Sequence, residues 1–509
     1  MSDEEPLSSP GRPGGSRPPV SRAELRYPPQ TYYRSVALGT VFPGLGLLRT
    51  RWRALGAGLI AVTIAVLGFA LVRLWRGGVL RSVLDASVRP EVLQWVGLGV
   101  LVGAVLWVGS IVLTAEQAWP RRQTAGRWAR VAFAAVACLI IAAPASLAVQ
   151  FLEIQTSVIN ESFGSVTDDN NNGLTGGTKQ DPWAGTERVN TLLIGSDAGK
   201  DRVGVRTDSL MVVSTNTKTG DTLLIGIPRN LEFVPIPDDN PLSTVWPDGY
   251  NCGDECLMNG IWTLAEDRRD LFPGVESPGR QSTIDVVGAI TGLEIDHSVV
   301  VNLRGFTALV DAMGGVEINV QERVCTDCSS RPGGGIKWTD GVERWIEPGV
   351  QRLDGHDALW YSRSRAGKDD FSRMRRQRCM AGALIDQADP VSLLRNYPQL
   401  AAVVKNNIDF DIPQQDLPAW VDLILRVQDG GSIRSLPFTN KVVSPGNPDY
   451  AEIRRLVEKS LDPPAKSTAS PKPSATSSST STTGTEPSPS PSPTESPDDS
   501  EANELAATC

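Results

Sequence analysis

Histidine is almost absent from this chain, which has two among 509 residues. We expect structural roles for both, His297 and His356, and His356 stands where the sequence predicts a turn into a helix. General basicity is also lacking, because the formal net charge at pH 7 is -9. Residues 189–461 contain no basic stripe with interleaved aromatic residues, which nucleic-acid-binding domains carry. We therefore expect no nucleic-acid partner.

The composition shifts several times along the chain, which argues against a single globular domain. Its parts are a polar N-terminus at 1–34, an apolar region at 35–151, a polar linker at 152–188, a mixed domain at 189–461 and a Ser/Pro/Thr-rich tail at 462–509. The N-terminus and the tail lack the apolar residues that would offset the entropy cost of ordering. We expect both to be disordered.

Three apolar runs are near the length of about 20 residues that a helix needs to cross a bilayer. These runs are 54–75, 92–114 and 131–151. A shorter run at 35–48 is broken by Pro43 and by glycines. It is predicted to form a re-entrant or interfacial hairpin.

The placement of arginine orients the spans. With three spans and a cytoplasmic N-terminus, most flanking arginines lie on the cytoplasmic side, which is the bias that membrane proteins follow. With four spans the two sides nearly balance, so we favour three. This interpretation predicts a multi-pass protein of the cell membrane, with the lipid bilayer as a partner and residues 152–509 outside the cytoplasm.

The cysteines agree with an exported domain. Two close pairs lie in the exported part: Cys252, Cys256, Cys325 and Cys328. Disulfides are the expected chemistry outside the cytoplasm, and a zinc site is the alternative. Four cysteines allow three pairings, and the sequence does not choose among them. Cys379 and Cys509 are left over, and Cys138 lies within a predicted span.

The exported domain alternates strand and helix signals. Short β-rich runs at 189–195, 209–215, 222–227 and 316–320 predict strands, and helical patterns cover 256–268, 282–291 and 305–313. A further helix is predicted from an N-cap at Asp369 or Asp370 to about Asp386. Strands interleaved with helices indicate an α/β domain.

Polar residues cluster where the predicted strands begin and end. Asp197 follows the first strand, Asp208 begins the second and Arg229 follows the third. Two carboxylates placed in this way are hard oxygen ligands that suit Mg²⁺. Arg206, just before Asp208, and Arg229 would then face the anionic charge that Mg²⁺ leaves uncovered. The alternative for each carboxylate is an ordinary turn or cap residue.

The most distinctive stretch is 361–377, which is rich in arginine (YSRSRAGKDDFSRMRRQ). Arginine stays charged and presents a planar fork of donors, so a convergent set suits a phosphate or pyrophosphate. On the predicted helix, Arg373 shares a face with Arg376 and Gln377, whereas Arg375 lies off that face. The alternative is a helix surface salt-bridged to Asp369 and Asp370.

The order of these segments resembles the LytR-CpsA-Psr family of cell-wall glycopolymer transferases. The segments are LLIGSD, RTDS, IPRN, GGVEINV and LDGHDALWYSRSR…DDFSRMRRQ, and the likeness covers about 189–390. The resemblance implies an α/β/α sandwich with a central mixed sheet, anchored to the membrane. It also implies a polyprenyl-pyrophosphate-linked glycopolymer as substrate and peptidoglycan as acceptor, joined by phosphoryl transfer as a phosphodiester.

Several roles are implied by this resemblance alone. Asp197 and Asp208 match the family's magnesium ligands. The positions that match pyrophosphate-binding residues are Arg206, Arg229, Arg363, Arg365, Arg373, Arg376 and Gln377. The catalytic residues would be Asp208, Arg229, Arg363 and Arg365. Asp370 matches an acidic position of unassigned role. Asn230 stands where the family usually has Asp, so an acid or base role at that position is not expected.

Two other classes of function stay open at this point. One is an enzyme that only hydrolyses the pyrophosphate, and the other is a non-catalytic lipid-binding or regulatory protein of the envelope. A carboxylate pair for a metal favours chemistry over simple holding, since binding alone does not need such a pair.

Overall fold

The structure is a computed structural model. It describes residues 29–119, 126–162, 182–197, 207–253, 255–331, 335–366, 369–388, 407–438, 443–461, 502–505 and 509. These residues fall into two compact units, one within Met1–Val83 and Glu91–Glu153 and the other within Leu84–Pro90 and Ile154–Cys509. Each unit has its own cluster of buried apolar side chains.

The N-terminal part of the chain is helical. Its helices are α1 (Pro29–Val41), α2 (Arg53–Gly77), α3 (Val79–Ser87), α4 (Pro90–Gln117) and α5 (Arg127–Ser162). Among the described residues, three segments are long and apolar enough to cross a membrane: Arg53–Arg76, Pro90–Gln117 and Arg127–Ser157. The shortest of them has 24 residues, and a helix of that length measures about 36 Å. The three predicted apolar runs are therefore helices of membrane-spanning length and composition.

The region around the shorter apolar run differs from the prediction. Helix α1 begins at Pro29, inside the part that we expected to be disordered, and it replaces the first half of the predicted hairpin. Tyr32 explains the early start, because it is fully buried and its hydroxyl donates to the carbonyl of Arg130 at 3.0 Å. The helix ends just before Pro43, whose ring cannot continue it. A turn and a short 3-10 helix at Leu47–Arg49 follow.

The C-terminal unit contains the remaining elements. Its strands are β1 (Arg188–Ser196), β2 (Thr207–Asn216), β3 (Thr222–Ile227), β4 (His297–Asn302), β5 (Val316–Val320), β6 (Val324–Cys325), β7 (Cys328–Ser330), β8 (Ile336–Trp338), β9 (Trp345–Ile346), β10 (Gly349–Leu353), β11 (Ile408–Phe410), β12 (Ile433–Leu436) and β13 (Asn503–Glu504). Its helices are α6 (Ile261–Asp267), α7 (Pro278–Thr291), α8 (Leu303–Ala312), α9 (Gly355–Arg363), α10 (Asp370–Gln387), α11 (Leu417–Gln428) and α12 (Tyr450–Leu461).

Seven strands form the central sheet, in the order β11-β4-β1-β2-β3-β12-β13. It is mixed: β1 runs parallel to β4 and β3 parallel to β12, whereas the other neighbouring pairs are antiparallel. The remaining strands pair two by two outside it, β5 with β10, β6 with β9 and β7 with β8. The predicted central mixed sheet is confirmed.

Helices cover both faces of the sheet. Leu192 and Ile194 of β1 pack with side chains of α6, α7 and α12, whereas Leu193 between them belongs to a cluster with Ala381 of α10. Successive side chains of a strand point to opposite faces, so a strand buried on both faces reads as one continuous apolar run. The predicted α/β/α sandwich after a helical region is therefore confirmed.

The predicted helices of the domain are present with shifted ends. Helix α6 begins at Ile261, after a 3-10 turn, and not at 256 as predicted. The reason is that Cys256 is tied into a small disulfide loop. Helix α7 begins earlier than predicted, with Pro278 in its first turn, where a missing N–H costs nothing.

The prediction of a fully disordered tail is wrong at its far end. Residues 462–501 lie outside the described residues. Strand β13, however, pairs with β12, and Leu505 is buried in the cluster that contains Met211 and Leu224. Cys509 forms a disulfide with Cys379, 130 residues earlier in the chain. Residues 502–505 and 509 depart from the composition argument because Leu505 packs in a buried cluster and Cys509 is covalently bonded, and neither is a property of the Ser/Pro/Thr stretch.

The disulfides settle the pairing that the sequence left open. The bridges are Cys252–Cys256, Cys325–Cys328 and Cys379–Cys509. Each predicted close pair is joined within itself, so the zinc alternative is wrong. Cys138 is a free thiol within α5.

Candidate active site

Two of the predicted carboxylates lie at the ends of neighbouring strands. Gly195 pairs with Ser209 and Ser196 pairs with Thr207, so Asp208 is an extra residue on β2 that forms a β-bulge. Asp197 directly follows β1 and is buried. A bulge re-aims a side chain, and bulges are frequent beside active sites. Arg206 lies outside the described residues, so its predicted role stays a prediction.

Arg229 links these strand ends to helix α10. It follows β3 by one proline and donates to Oδ1 of Asp208, and its Nε lies 3.7 Å from Oδ1 of Asp370. The Arg229 side chain is 17% exposed. Asn259 fixes the backbone here, because its N–H donates to the Arg229 carbonyl at 3.0 Å.

The start of α10 decides which acidic residue meets the arginines. Asp369 is the N-cap, and its Oδ1 accepts from the N–H of Ser372 at 2.8 Å. Asp370 is therefore free of the capping role, and its carboxylate lies 3.0 Å from Nη2 of Arg373 and 3.9 Å from Nη1 of Arg365. Together with the contact from Arg229, these distances make Asp370 the common ion-pair partner of three arginines.

Arg363 and Arg365 flank the end of α9. The guanidinium of Arg363 lies over the ring of Trp360, 5.1 Å from its centroid, and it makes no ion pair with the described residues. The Arg365 side chain is about half exposed. Arg365 is exposed and Arg363 is partly exposed, whereas Arg373 is buried.

The pKa values of Arg365 and Arg373 are both lowered at this site. Burial lowers the pKa of Arg373 to about 10, and the nearby positive charges of Arg229 and Arg365 act in the same direction. Burial and the charges of Arg229 and Arg363 also lower the pKa of Arg365. Asp370 and Asp208 oppose both shifts without cancelling them. Four arginines (Arg229, Arg363, Arg365 and Arg373) and two carboxylates (Asp208 and Asp370) interact here, so an added anion would offset the excess of positive charge.

Several buried polar atoms at the site have no hydrogen-bond partner among the described residues. They are Oγ1 of Thr207, Oδ1 of Asn230, Oδ1 of Asp370 and Nε of Arg373. Buried polar atoms are nearly always paired, so each exception needs an explanation. Oδ1 of Asp370 already faces Arg229 and Arg365 at 3.7 and 3.9 Å, and a polar ligand bound beside Arg373 would explain its unpaired Nε.

Arg376 differs from the other predicted anion-binding arginines. Its Nε donates to the carbonyl of Tyr361 at 2.8 Å and its Nη2 donates to the carbonyl of Ser364, while Nη1 lies 3.6 Å from Oε1 of Glu322. These protein groups occupy the donors that we expected to face pyrophosphate. Gln377, next in sequence, is partly buried.

Arg375 lies off the arginine cluster, as the helical spacing predicted. Its Nη2 lies 3.5 Å from Oε1 of Glu322 and the side chain is 39% exposed. Glu322 was missed by the sequence reasoning, because it is 53 residues from Arg375 and belongs to no recognised segment.

The two histidines have the structural surroundings that we expected. His297 is buried, with Nδ1 3.5 Å from Oδ1 of Asp411. His356 lies in the first turn of α9. Its Nδ1 is 3.1 Å from Oδ1 of Asp357, and its Nε2 is 3.3 Å from Oδ1 of Asp327. Burial opposes the charge on His356, but hydrogen bonds to these two carboxylates outweigh it and raise its pKa.

The donor set at the strand ends fits Mg²⁺, which takes carboxylate oxygens and keeps several waters. Asp197 follows β1 and Asp208 lies near the start of the adjacent antiparallel β2, so both are at the same end of these two strands. The ion pair that Arg229 makes with Asp208 uses Oδ1 of that carboxylate. The second oxygen of that carboxylate is therefore compatible with a metal ligand.

Fold and site together define a class: an α/β sandwich in which strand ends and one helix gather arginines around carboxylates, as suits a phosphate-bearing ligand. The LytR_cpsA_psr family model matches residues 156–454, which is more than half of the chain, and the chain belongs to this family.

Individual relatives are more distant. Cell wall biosynthesis protein LcpA of Corynebacterium glutamicum is 28% identical over 248 residues, covering 44% of this chain and 44% of that protein. A polyisoprenyl-teichoic acid–peptidoglycan teichoic acid transferase, TagU of Enterococcus faecalis, is 26% identical over 235 residues, covering 45% of this chain and 64% of that protein. The crystal structure of B. subtilis TagV has 21% identity and a TM-score of 0.37, covering 54% of this chain and 95% of that one. The matches thus span less than two thirds of the length of LcpA and TagU.

Proposed function

We propose that this chain is a membrane-anchored, Mg²⁺-dependent phosphotransferase of cell-wall assembly. It moves a glycopolymer from a polyprenyl-pyrophosphate carrier onto peptidoglycan and leaves a phosphodiester. Family membership and the similarity to TagU, a teichoic acid transferase, support this proposal. The observation that carries it is the convergence of Arg229, Arg365 and Arg373 on Asp370 beside the strand ends.

The arginines bind the pyrophosphate. Arg363 and Arg365 meet its oxygens from the accessible side, while Arg229 and buried Arg373 face it from below. Arginine forks form bidentate hydrogen bonds with phosphate oxygens, and these are strong where water is excluded. As the reaction proceeds, negative charge grows on the leaving phosphate, and donors fixed in advance stabilise it without reorganising.

The reaction is a displacement at phosphorus. A peptidoglycan hydroxyl attacks the phosphorus that bears the sugar, a new P–O bond forms, and the bond to the bridging oxygen breaks. Polyprenyl phosphate leaves with the electron pair of that bond. Asp208, whose side chain is partly exposed, is the candidate to accept the hydroxyl proton when its second oxygen is not a metal ligand. Asp197 and Asp208 would hold Mg²⁺, which when bound supplies further positive charge for the pyrophosphate oxygens.

The proposed location is outside the cytoplasm. The three membrane-length helices and the arginine bias support a multi-pass arrangement with the C-terminal unit outside the cytoplasm. Three disulfides in that unit support an oxidising compartment. A reporter enzyme fused after Cys509 tests this: it should be active only outside the cytoplasm, and cytoplasmic activity would contradict the topology.

The transfer reaction is tested with the full-length chain in lipid nanodiscs. A polyprenyl-pyrophosphate oligosaccharide, Mg²⁺ and peptidoglycan should yield acceptor that carries a new sugar-phosphate linkage. Arg363→Ala should abolish the product, whereas Arg375→Ala, off the cluster, should retain it. Released lipid without labelled acceptor would show a hydrolase instead. Tight lipid binding without turnover, in any divalent metal, would show a non-catalytic binding protein.

A further inference from the structure

A buried serine separates the two accessible arginines of the site. Ser364 lies between Arg363 and Arg365 and is 5% exposed. Its N–H donates to the carbonyl of Trp360 at 2.9 Å, which ends helix α9. The orientation of both arginines therefore depends on how firmly this one residue is held.

Helix α10 holds Ser364 on one side. The carbonyl of Ser364 accepts from Nη2 of Arg376, whose Nε donates to the carbonyl of Tyr361. Arg376 is buried, so one guanidinium joins both ends of the Tyr361–Ser364 turn to α10. A lysine could not reproduce this, because its ammonium lacks the rigid fork.

A disulfide holds Ser364 on the other side. Oγ of Ser364 lies 3.4 Å from Sγ of Cys325 and 3.5 Å from Sγ of Cys328. Both cysteines are buried, and the bridge joins the end of β6 to the start of β7. The disulfide is therefore in direct contact with the segment that carries the arginines, although neither cysteine belongs to the recognised segments of the family.

We propose that Ser364 is a positioning residue, braced between the Cys325–Cys328 disulfide and Arg376, which sets the spacing of Arg363 and Arg365 for a diphosphate. The ligand in this statement rests on the proposed function. Arg376 then acts through Ser364 and does not touch the pyrophosphate. A shift of about 1 Å in a positioned group can cost roughly a hundredfold in rate, so the brace is worth keeping even though it makes no contact with substrate.

The first arm of the test needs no ligand. Amide hydrogen exchange is measured on the full-length chain in nanodiscs, for the peptide that contains Ser364. Replacing Cys325 and Cys328 by alanine should raise exchange there about tenfold or more. The matched control replaces Cys252 and Cys256, a bridge of similar loop size, and should leave this peptide unchanged. Unchanged exchange in the first variant overturns the brace.

The second arm measures binding of farnesyl pyrophosphate to the same proteins. Ser364→Ala and the Cys325/Cys328 variant should bind about ten- to a hundredfold more weakly, and the control bridge variant should bind as the wild type does. If Ser364 had only a structural role, Ser364→Ala would weaken binding by the same factor in every background. In an Arg365→Ala background, by contrast, Ser364→Ala should have little further effect. Additive losses, or faster exchange with unchanged affinity, overturn the positioning role.

The two arms separate this inference from the function on which it rests. If the wild-type chain does not bind farnesyl pyrophosphate, the proposed function fails. The exchange arm then decides by itself whether Ser364 is braced.

Discussion

Asp370 is the residue whose replacement tests the charge balance of the site most directly. Its carboxylate is 17% exposed and lies within 4 Å of three arginines, at 3.0, 3.7 and 3.9 Å. Four arginines and two carboxylates meet here, so the cluster carries an excess of positive charge. Asp370→Asn removes one negative charge while it preserves the shape of the side chain. We expect the substitution to lower the stability of the ligand-free chain and to raise its affinity for pyrophosphate.

The first effect is a loss of stability without ligand. Removing one partner of a buried ion pair costs about 3–5 kcal/mol, and we take the lower end, because asparagine still accepts a hydrogen bond from Arg373. In a domain of this size 1 kcal/mol shifts the melting temperature by about 2–4 °C, so the shift should be roughly 6 °C or more.

The second effect is a gain in affinity for pyrophosphate. If a phosphate binds at about 8 Å from the Asp370 carboxylate, the two charges repel by about 2 kcal/mol at an effective dielectric constant near 20. Removing that repulsion should tighten binding by about tenfold or more. The gain in affinity should also return part of the lost stability when ligand is added.

The assay is thermal unfolding of the full-length chain in nanodiscs, with and without farnesyl pyrophosphate, together with a binding titration. Asp369→Asn is the matched control, because Asp369 is the exposed N-cap and asparagine caps a helix equally well. A variant at 370 that melts like the control, or one that binds the ligand more weakly, would refute the charge argument. Weaker binding only in the presence of Mg²⁺ would show that Asp370 is itself a metal ligand.

Three further outcomes are expected. Removing the Cys379–Cys509 bridge should destabilise the C-terminal unit about 3 kcal/mol more than removing Cys252–Cys256, because the sequence separations are 130 and 4 and loop-closure entropy grows with loop length. Pulse proteolysis in guanidinium would measure the two losses of stability, and equal losses would contradict the prediction. Arg373→Lys should weaken pyrophosphate binding about tenfold or more, whereas Arg375→Lys should change the affinity less than twofold. Calorimetry would measure both affinities, and equal effects would contradict the assigned geometry. The pKa of His356 should lie above its ordinary value of about 6.5, so that the contribution of His356 to stability is present at lower pH and lost as pH rises through the folded-state pKa. An NMR titration that places this pKa at or below the ordinary value would contradict the predicted direction of the shift.

Much of the fold could be predicted because its signals are local. The apolar runs that became α2, α4 and α5 need only length and hydropathy, which neighbouring residues supply. Strands β1 to β3 were predicted because burial on both faces leaves continuous apolar runs. Asp369 was a candidate cap because capping is decided within one helical turn.

The sequence predicted which residue types form the candidate site, but not which role each residue has in it. Arg373 and Arg376 share a helical face, so periodicity treats them alike. Only the packing shows that Arg373 meets Asp370 whereas Arg376 binds the carbonyls of Tyr361 and Ser364. A one-residue bulge aims Asp208, and a bulge depends on the register of two strands and not on one segment.

The sequence by itself determined where apolar helices and buried strands form and which arginines and carboxylates stand at their ends, because these depend on side chains a few residues apart. The tertiary structure alone decided that Cys509 reaches Cys379, that β13 closes on β12 and that a disulfide rests against Ser364. Each of these contacts joins segments far apart in sequence. Such contacts form only when the whole domain folds, since many other contacts must first offset the entropy of closing the loops between them.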